Sequence, residues 1–503
     1  MVALLFILIL QALPLSAQSP ASAFPNLEPD PLAAEFARRG QPGPYTWQDL
    51  AEIGLWASGA DASVSPARGQ PSYQVQIAAA VEELKNAADL PRNERERGEY
   101  VLTFMHKKFL KSYSALQTRI DTILSNGRYN CVSSAVLYLI LADAVGLEVK
   151  GVMTKDHAFI TVYADGEAID VETTNAYGFD PGNRRDFHDG FGKLTGFAYV
   201  PARNYRDRTT INALELISLI LQNRIADLEG RKRYAEAVPL AINRARLLAG
   251  RTDGISSSIF EDPEKDLVDR LLNYGASLIT AGKEEDGLRW AALASGKYPD
   301  PVRWQEFIFT AANNQMVKLS RGGRNSEART FLAANAELLS RENFSRLELM
   351  VTNMELAAVD AELTKLANQI SRADQAEGIL AALDQAETEK RLPVDRAKEL
   401  RSFVIIKTGN LLSAAPGRDW LAAIAWIETA IARYGTDSRL EQAVQNFKSN
   451  RAVDFHNRFA AAFNRKNYDE VTQILREGLA EFPDNRQLQN DRNTAEKAGI
   501  KWQ

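Results

Sequence analysis

One cysteine occurs in the 503 residues, and its neighbours make it the residue best placed to do chemistry. Cys131 cannot form an internal disulfide, which marks it as a candidate reactive thiol. It follows Asn130, and after it Val136, Leu137, Leu139, Ile140, Leu141 and Val145 recur at helical spacing until Gly146. The pattern predicts a helix over 131–145 with Asn130 as N-cap, its side-chain oxygen accepting a free backbone N–H of the first turn. A thiol there feels the positive end of the helix dipole, which favours thiolate. His157 lies on one stretch of β-formers, and Asp170 and Glu172 lie on the next. A thiol at a helix start, then a histidine on one strand and a carboxylate on another, is the layout of a cysteine nucleophile with its base and orienting acid. The plainer alternative is a core residue, since free cysteine is often fully buried. A nucleophile would open to a groove beside His157, whereas a core cysteine would be sealed.

Three strands must position the histidine and the acid. The sequence predicts them over 148–154, 158–163 and 168–174, with Asp165-Gly166 as the turn between the last two. Asp-Gly between alternating segments is a strong two-residue hairpin signal. Under that turn, paired positions sum to 331, so His157 faces Thr174 and Phe159 faces Glu172. His157, Phe159, Glu172 and Thr174 then share a face, because alternate residues do. Glu172 is the diagonal neighbour of His157, at roughly 7 Å between backbones and within reach of a long side chain. Asp170 lies one step further and is shorter, so it is the second choice for the acid. The backbone N–H of Cys131 would contribute to an oxyanion site at the helix start.

Composition bounds the rest. The chain is 45% hydrophobic and 25% charged, in the range of globular protein, and its net charge of -5 offers no electrostatic case for nucleic acid. Residues 2–15 are apolar, too short for a membrane span, and lead to Ala21-Ser22-Ala23, a match to the signal-peptidase pattern. Residues 1–23 are therefore read as a signal peptide and the protein as exported, periplasmic or secreted. The alternative is an uncleaved N-terminal anchor. Residues 24–45 are read as a Pro-rich extended leader, and 46–209 as an α+β domain, helical to about 126 and then carrying a small antiparallel sheet. Residues 197–200 would add a further strand. No cofactor or metal is expected: His106, His188 and His456 lack ligand spacing, and the glycine-rich run over 190–196 fits neither a phosphate loop nor a dinucleotide fingerprint.

From 210 to 503 the pattern is helical. Similar segments open amphipathic helices at 230–237, 282–288, 323–328, 417–423 and 465–471, several of them ending in a turn with proline. A short basic turn, an aromatic or acidic residue, then a small residue resembles the second helix of a tetratricopeptide repeat, although the spacing is about 40–50 residues rather than 34.

The motifs of the α+β part carry a second resemblance. Asn130-Cys131-Val132-Ser133-Ser134-Ala135, Val149-Lys150-Gly151-Val152, Asp156-His157-Ala158-Phe159-Ile160 and Asp170-Val171-Glu172-Thr173-Thr174-Asn175 look like the core of the transglutaminase-like superfamily. The likeness covers about residues 95–205 and implies a Cys-His-acid triad on a papain-like core. The family's usual Asp-Pro-Thr is here Glu172-Thr173-Thr174, and Phe159 stands where its tryptophan would be. Two functions follow. One is a thiol-dependent hydrolase or acyltransferase, a peptidase or amidase among them, acting on a protein or peptide, with the helical repeats binding a protein partner. The other is an inactive transglutaminase-like fold serving as a repeat-type interaction scaffold.

Overall fold

The computed structural model describes residues 24–40, 45–182, 187, 191–194, 208–249, 262–414 and 419–501. They form a mostly helical protein with a small sheet. Two compact units divide at 315/316.

In the first unit, α1 (Pro31–Arg39) opens within the segment that the sequence reading took for an extended leader. Asp30 caps it by accepting the Leu32 N–H, and Pro31 stands at the first helical position. Proline is well suited there, since the missing N–H has no intrahelical partner in any case. Counting prolines without their position relative to the cap hid this helix, which buries Ala33 and Phe36. α2 (Trp47–Ala57) follows a Thr46–Asp49 capping box. Then come α3 (Tyr73–Lys85), α4 (Glu94–Lys108), β1 (Ser112–Tyr113), α5 (Ile120–Asn126), β2 (Arg128–Tyr129) and α6 (Cys131–Ala144). β1 and β2 pair in parallel, Tyr113 opposite Tyr129.

β3 (Glu148–Met153), β4 (Ala158–Ala164), β5 (Glu167–Val171) and β6 (Thr209–Ile211) make an antiparallel sheet in the order β5-β4-β3-β6. Ala164 pairs with Glu167 and Thr161 with Asp170, the register the Asp-Gly turn predicts. Asp165 and Gly166 both have positive φ, 53° and 85°, the geometry of a type I′ turn. β5 stops at Val171, which bridges to Phe179, so the expected strand does not run on to 174. The expected strand over 197–200 lies outside the described residues, and β6 takes the free edge of β3. α6 is apolar on every side, as a helix at the centre of a core must be. It packs on β3 and β4 and on α2 and α4.

α7 (Ala213–Gly230) also packs on α6, α2 and β3, burying Leu214, Leu216, Ile217 and Ile220. The sequence pattern predicts a separate helical domain from 210, but the apolar face of this helix completes the core around the cysteine helix. α8 (Tyr234–Leu248), α9 (Pro263–Thr280) and α10 (Glu284–Lys297) continue the unit, and α11 (Pro301–Arg321) crosses the division. The second unit continues with α12 (Asn325–Ala334), α13 (Arg341–Gln369), α14 (Ala376–Thr388), α15 (Val394–Ala414), α16 (Trp420–Tyr434), α17 (Ser438–Asn464), α18 (Tyr468–Glu481) and α19 (Arg486–Lys497). Four of the look-alike segments form one turn. Lys232, Gly282, Gly323 and Lys466 each hold positive φ two residues before a new helix. No described helix is long and apolar enough to cross a membrane. The signal-peptide reading of residues 1–23 falls outside the described residues.

The hairpin that sets the His157–Glu172 register yields a direct test. Gly166 has open space around its would-be Cβ, so an added methyl meets only the backbone cost of positive φ. Gly166→Ala should lower unfolding free energy by about 1–2 kcal/mol, read by urea denaturation. No loss would mean the turn is not the one described.

Candidate active site

The start of α6 is held from two sides. Asn130 Oδ1 accepts the Ser133 N–H at 3.0 Å, and the Asn130 N–H donates to Ser133 Oγ at 3.0 Å, a reciprocal capping box. Asn130 Nδ2 also donates to Ala115 O, and Ser133 Oγ to Gln117 O, tying loop 114–118 to the helix start. The first helical turn leaves its leading N–H groups without intrahelical acceptors. That of Ser133 goes to the cap, and those of Cys131 and Val132 meet no acceptor among the described residues. Cys131 itself is half-buried and lines a cleft of about 430 Å³ together with His157. It is not sealed in the core.

His157 ends the turn between β3 and β4, where its carbonyl accepts the Thr154 N–H at 2.9 Å. Its side chain is 4% exposed, stacked on Phe159 and edge-on to Phe191. Nε2 bonds Glu172 Oε2 at 2.6 Å. Glu172 is wholly buried, and its other oxygen accepts the Thr174 N–H at 3.1 Å and the Thr174 hydroxyl at 2.7 Å. Nδ1 has no partner in strict hydrogen-bond geometry, and Cys131 lies close enough on the same cleft to raise the ring's pKa. This is a loose contact of the kind that tightens when substrate binds. Burial pulls the imidazole pKa down, but the Glu172 charge and the Cys131 contact outweigh it and hold it well above the ordinary value. The raised pKa favours imidazolium, with the Glu172 carboxylate on Nε2 and the Cys131 thiol on the same cleft.

The four acid–base candidates separate cleanly. Cys131, His157 and Glu172 come together, and Asp170 does not join them. Asp170 sits opposite Thr161 and accepts both Arg208 guanidinium nitrogens and the Thr161 hydroxyl. Arg208 also lies over the Phe159 ring, 5.0 Å from its centroid. Asp170 therefore braces the ring on which His157 stacks, through a different ion pair.

Several contributors have no local signature in the sequence. Tyr113 comes to the cleft through the two-residue β1–β2 pairing and lies edge-on to Tyr129. Burial, then the nearby Cys131 charge, raise its pKa, so the phenol stays a donor. Its hydroxyl has no acceptor among the described residues. Tyr129 donates to Thr174 O at 3.1 Å and is pushed up to about 12 by burial and then by the Glu172 charge. Ser134 Oγ and Thr173 Oγ1 lie 2.8 Å apart, linking α6 to the segment that carries the acid. His106 bonds the Thr173 carbonyl, and burial lowers its pKa. The far wall comes from α7, whose Leu219, Gln222, Asn223, Ala226 and Asp227 form one helical face. Among the described residues, no group of three or more His, Cys, Asp or Glu is placed to hold a metal.

Gly178 keeps the acid in place. The chain folds back so that the Glu172 N–H donates to Gly178 O at 2.7 Å. A Cβ on residue 178 would stand 2.0 Å from Glu172 O and 2.9 Å from Asn175 O, both backbone atoms that cannot swing away. Gly178→Ala should destabilise at the upper end of about 1–3 kcal/mol, more than Gly166→Ala, in the same urea assay. Equal small losses would show that the 172–178 turn is slack. No protein-family model matches this chain and no curated protein matches its sequence, so its chemistry is read from the site itself.

Proposed function

We propose that the protein is a thiol-dependent acyl-transfer enzyme that opens amide bonds, with Cys131 as nucleophile, His157 as proton carrier and Glu172 as orienting acid. One observation carries this reading: a half-buried thiol at an open helix start shares a cleft with an imidazole whose Nε2 is clamped by a buried carboxylate. The Cys131 thiolate attacks the carbonyl carbon, and the oxyanion forms at the α6 start. There the free Cys131 N–H and the Tyr113 hydroxyl are available as donors. The C–N bond breaks as imidazolium gives its proton to the leaving amine, which leaves a thioester on Cys131. Water or a second amine, deprotonated by the now neutral His157, attacks the thioester and frees the thiolate. Glu172 holds the ring orientation and stabilises the imidazolium throughout.

The residues and their order support a transglutaminase-like α+β core, and the recurrent helix-turn-helix segments support tetratricopeptide-like repeats that bind a protein partner. The apolar N-terminus supports export. The scaffold alternative needs a sealed, unreactive thiol, and the open cleft at Cys131 speaks against it.

Native protein should react with iodoacetamide at neutral pH faster than an unperturbed thiol, measured by intact mass over time. His157→Ala should slow labelling by about tenfold or more, because the counter-charge is lost. Glu172→Gln should slow it less, and Asp170→Asn least. Labelling only after denaturation would sink the enzyme reading in favour of the scaffold, and a larger effect at Asp170 than at Glu172 would reassign the acid.

A further inference from the structure

The α7 wall of the cleft presents polar groups whose orientation is set from behind. Gln222 is exposed to the cleft, and its Oε1 accepts Arg244 Nη2 at 3.0 Å. Arginine has only donors, so the atom it binds must be the amide oxygen. The Gln222 NH₂ is thereby turned away from Arg244, and it meets no acceptor among the described residues. Arg244 cannot swing freely. It is 4% exposed and bonds Asp266 at 2.9 Å, while Asp266 also takes Arg270 at 2.7 Å and Arg270 takes Glu229 at 2.7 Å. This buried network on α7, α8 and α9 locks one orientation of a cleft-facing amide.

Asn223 is the complement. Its Nδ2 donates to the buried Thr118 hydroxyl at 3.1 Å, which leaves Oδ1 as an acceptor with no described partner. The helix therefore offers one donor and one acceptor side by side. Apart from the catalytic pair, the charged groups of the lining lie at the rim: Lys155 and Asp156 are exposed, and Asp227 is paired with Arg231 at 2.9 Å. Across the cleft, Leu116 is 77% exposed and apolar. The one buried cationic group on this lining, His157, is already paired with Glu172, so an anionic ligand would find no free buried cation there among the described residues. A neutral chain of alternating C=O and N–H groups with small apolar side chains would find both hydrogen-bonding groups and the apolar surface of Leu116.

We infer that the cleft binds an extended peptide segment by its backbone, Gln222 Nε2 donating to a carbonyl and Asn223 Oδ1 accepting an N–H, with Arg244 as the positioning residue for Gln222. This deepens the acyl-transfer reading and rests on it: the amide that Cys131 attacks would belong to a peptide.

The test uses two reagents with one electrophile, chloroacetone and N-acetyl-dialanyl chloromethyl ketone, and the full chain. The quantity read is the ratio of their rates of alkylation at Cys131. In the wild type the peptide reagent should react at least about tenfold faster. Gln222→Met removes the donor, and Gln222→Glu keeps an oxygen for Arg244 but replaces the donor with an acceptor. Both should lower the ratio by about tenfold, the worth of one hydrogen bond that discriminates. A role confined to supporting Arg244 would leave Gln222→Glu silent, so an unchanged ratio in that variant overturns the inference. A wild-type ratio near one overturns it too, while chloroacetone labelling of native Cys131 would still stand for the nucleophile. Failure of both reagents on folded protein would bring down both readings together.

Discussion

The Glu172 carboxylate, shut off from water, governs the geometry around it. Breaking a buried ion pair by removing one partner costs about 3–5 kcal/mol, so a charge in this position dictates what its neighbours must be. Oε2 takes the His157 ring and Oε1 takes both the Thr174 N–H and hydroxyl. Those bonds fix the carboxylate against the ring, and its charge is what raises the His157 pKa. The 172–178 turn, the glycine at its end and the early stop of β5 at Val171 follow from wrapping the chain around that group.

The second constraint is the start of α6. Its capping box fixes where the helix begins to within one residue, and hence where Cys131 stands relative to the free N–H groups. Loop 114–118 is tied to the same cap, so the helix start that carries Cys131 and one cleft wall form a single hydrogen-bonded unit. α7 closes the other side by packing on α6 directly. Its cleft-facing amide is in turn aligned by helices further along the chain, so the helical segments of the first unit help shape the site.

What was legible in the sequence was local. Asn130 as cap, Cys131 at the first helical position and the Asp165-Gly166 register each depend on a few adjacent residues, and that register placed Glu172 rather than Asp170 beside His157. The claim of Arg208 on Asp170 came from 38 residues away and had no local sign. Tyr113 reaches the cleft through a parallel pairing only two residues long, too short for any periodicity to reveal. Gln222 sits on a helix whose pattern looks like its neighbours', and only the Arg244 contact distinguishes it. α1 lies in a stretch whose proline content reads as extended leader, although Pro31 stands at a helix start. For Arg208, Tyr113 and Gln222 the missing information was a contact between distant segments, which spacing alone does not carry, whereas the α1 start is a local signal.

The central claim is that His157 is an imidazolium held between Glu172 and Cys131. Its folded pKa is raised, so the stabilisation from its charge is complete below the ordinary value of about 6.5 and fades as pH rises through the folded value. The direct measurement is ¹⁵N NMR of the imidazole nitrogens across pH, with His157 assigned by comparison with His157→Gln. The account predicts that both ring nitrogens remain protonated at pH 7.5 and that the ring titrates well above 6.5, falling back in Glu172→Gln. A His157 ring that is neutral at pH 7, titrating at or below the ordinary value, would contradict it.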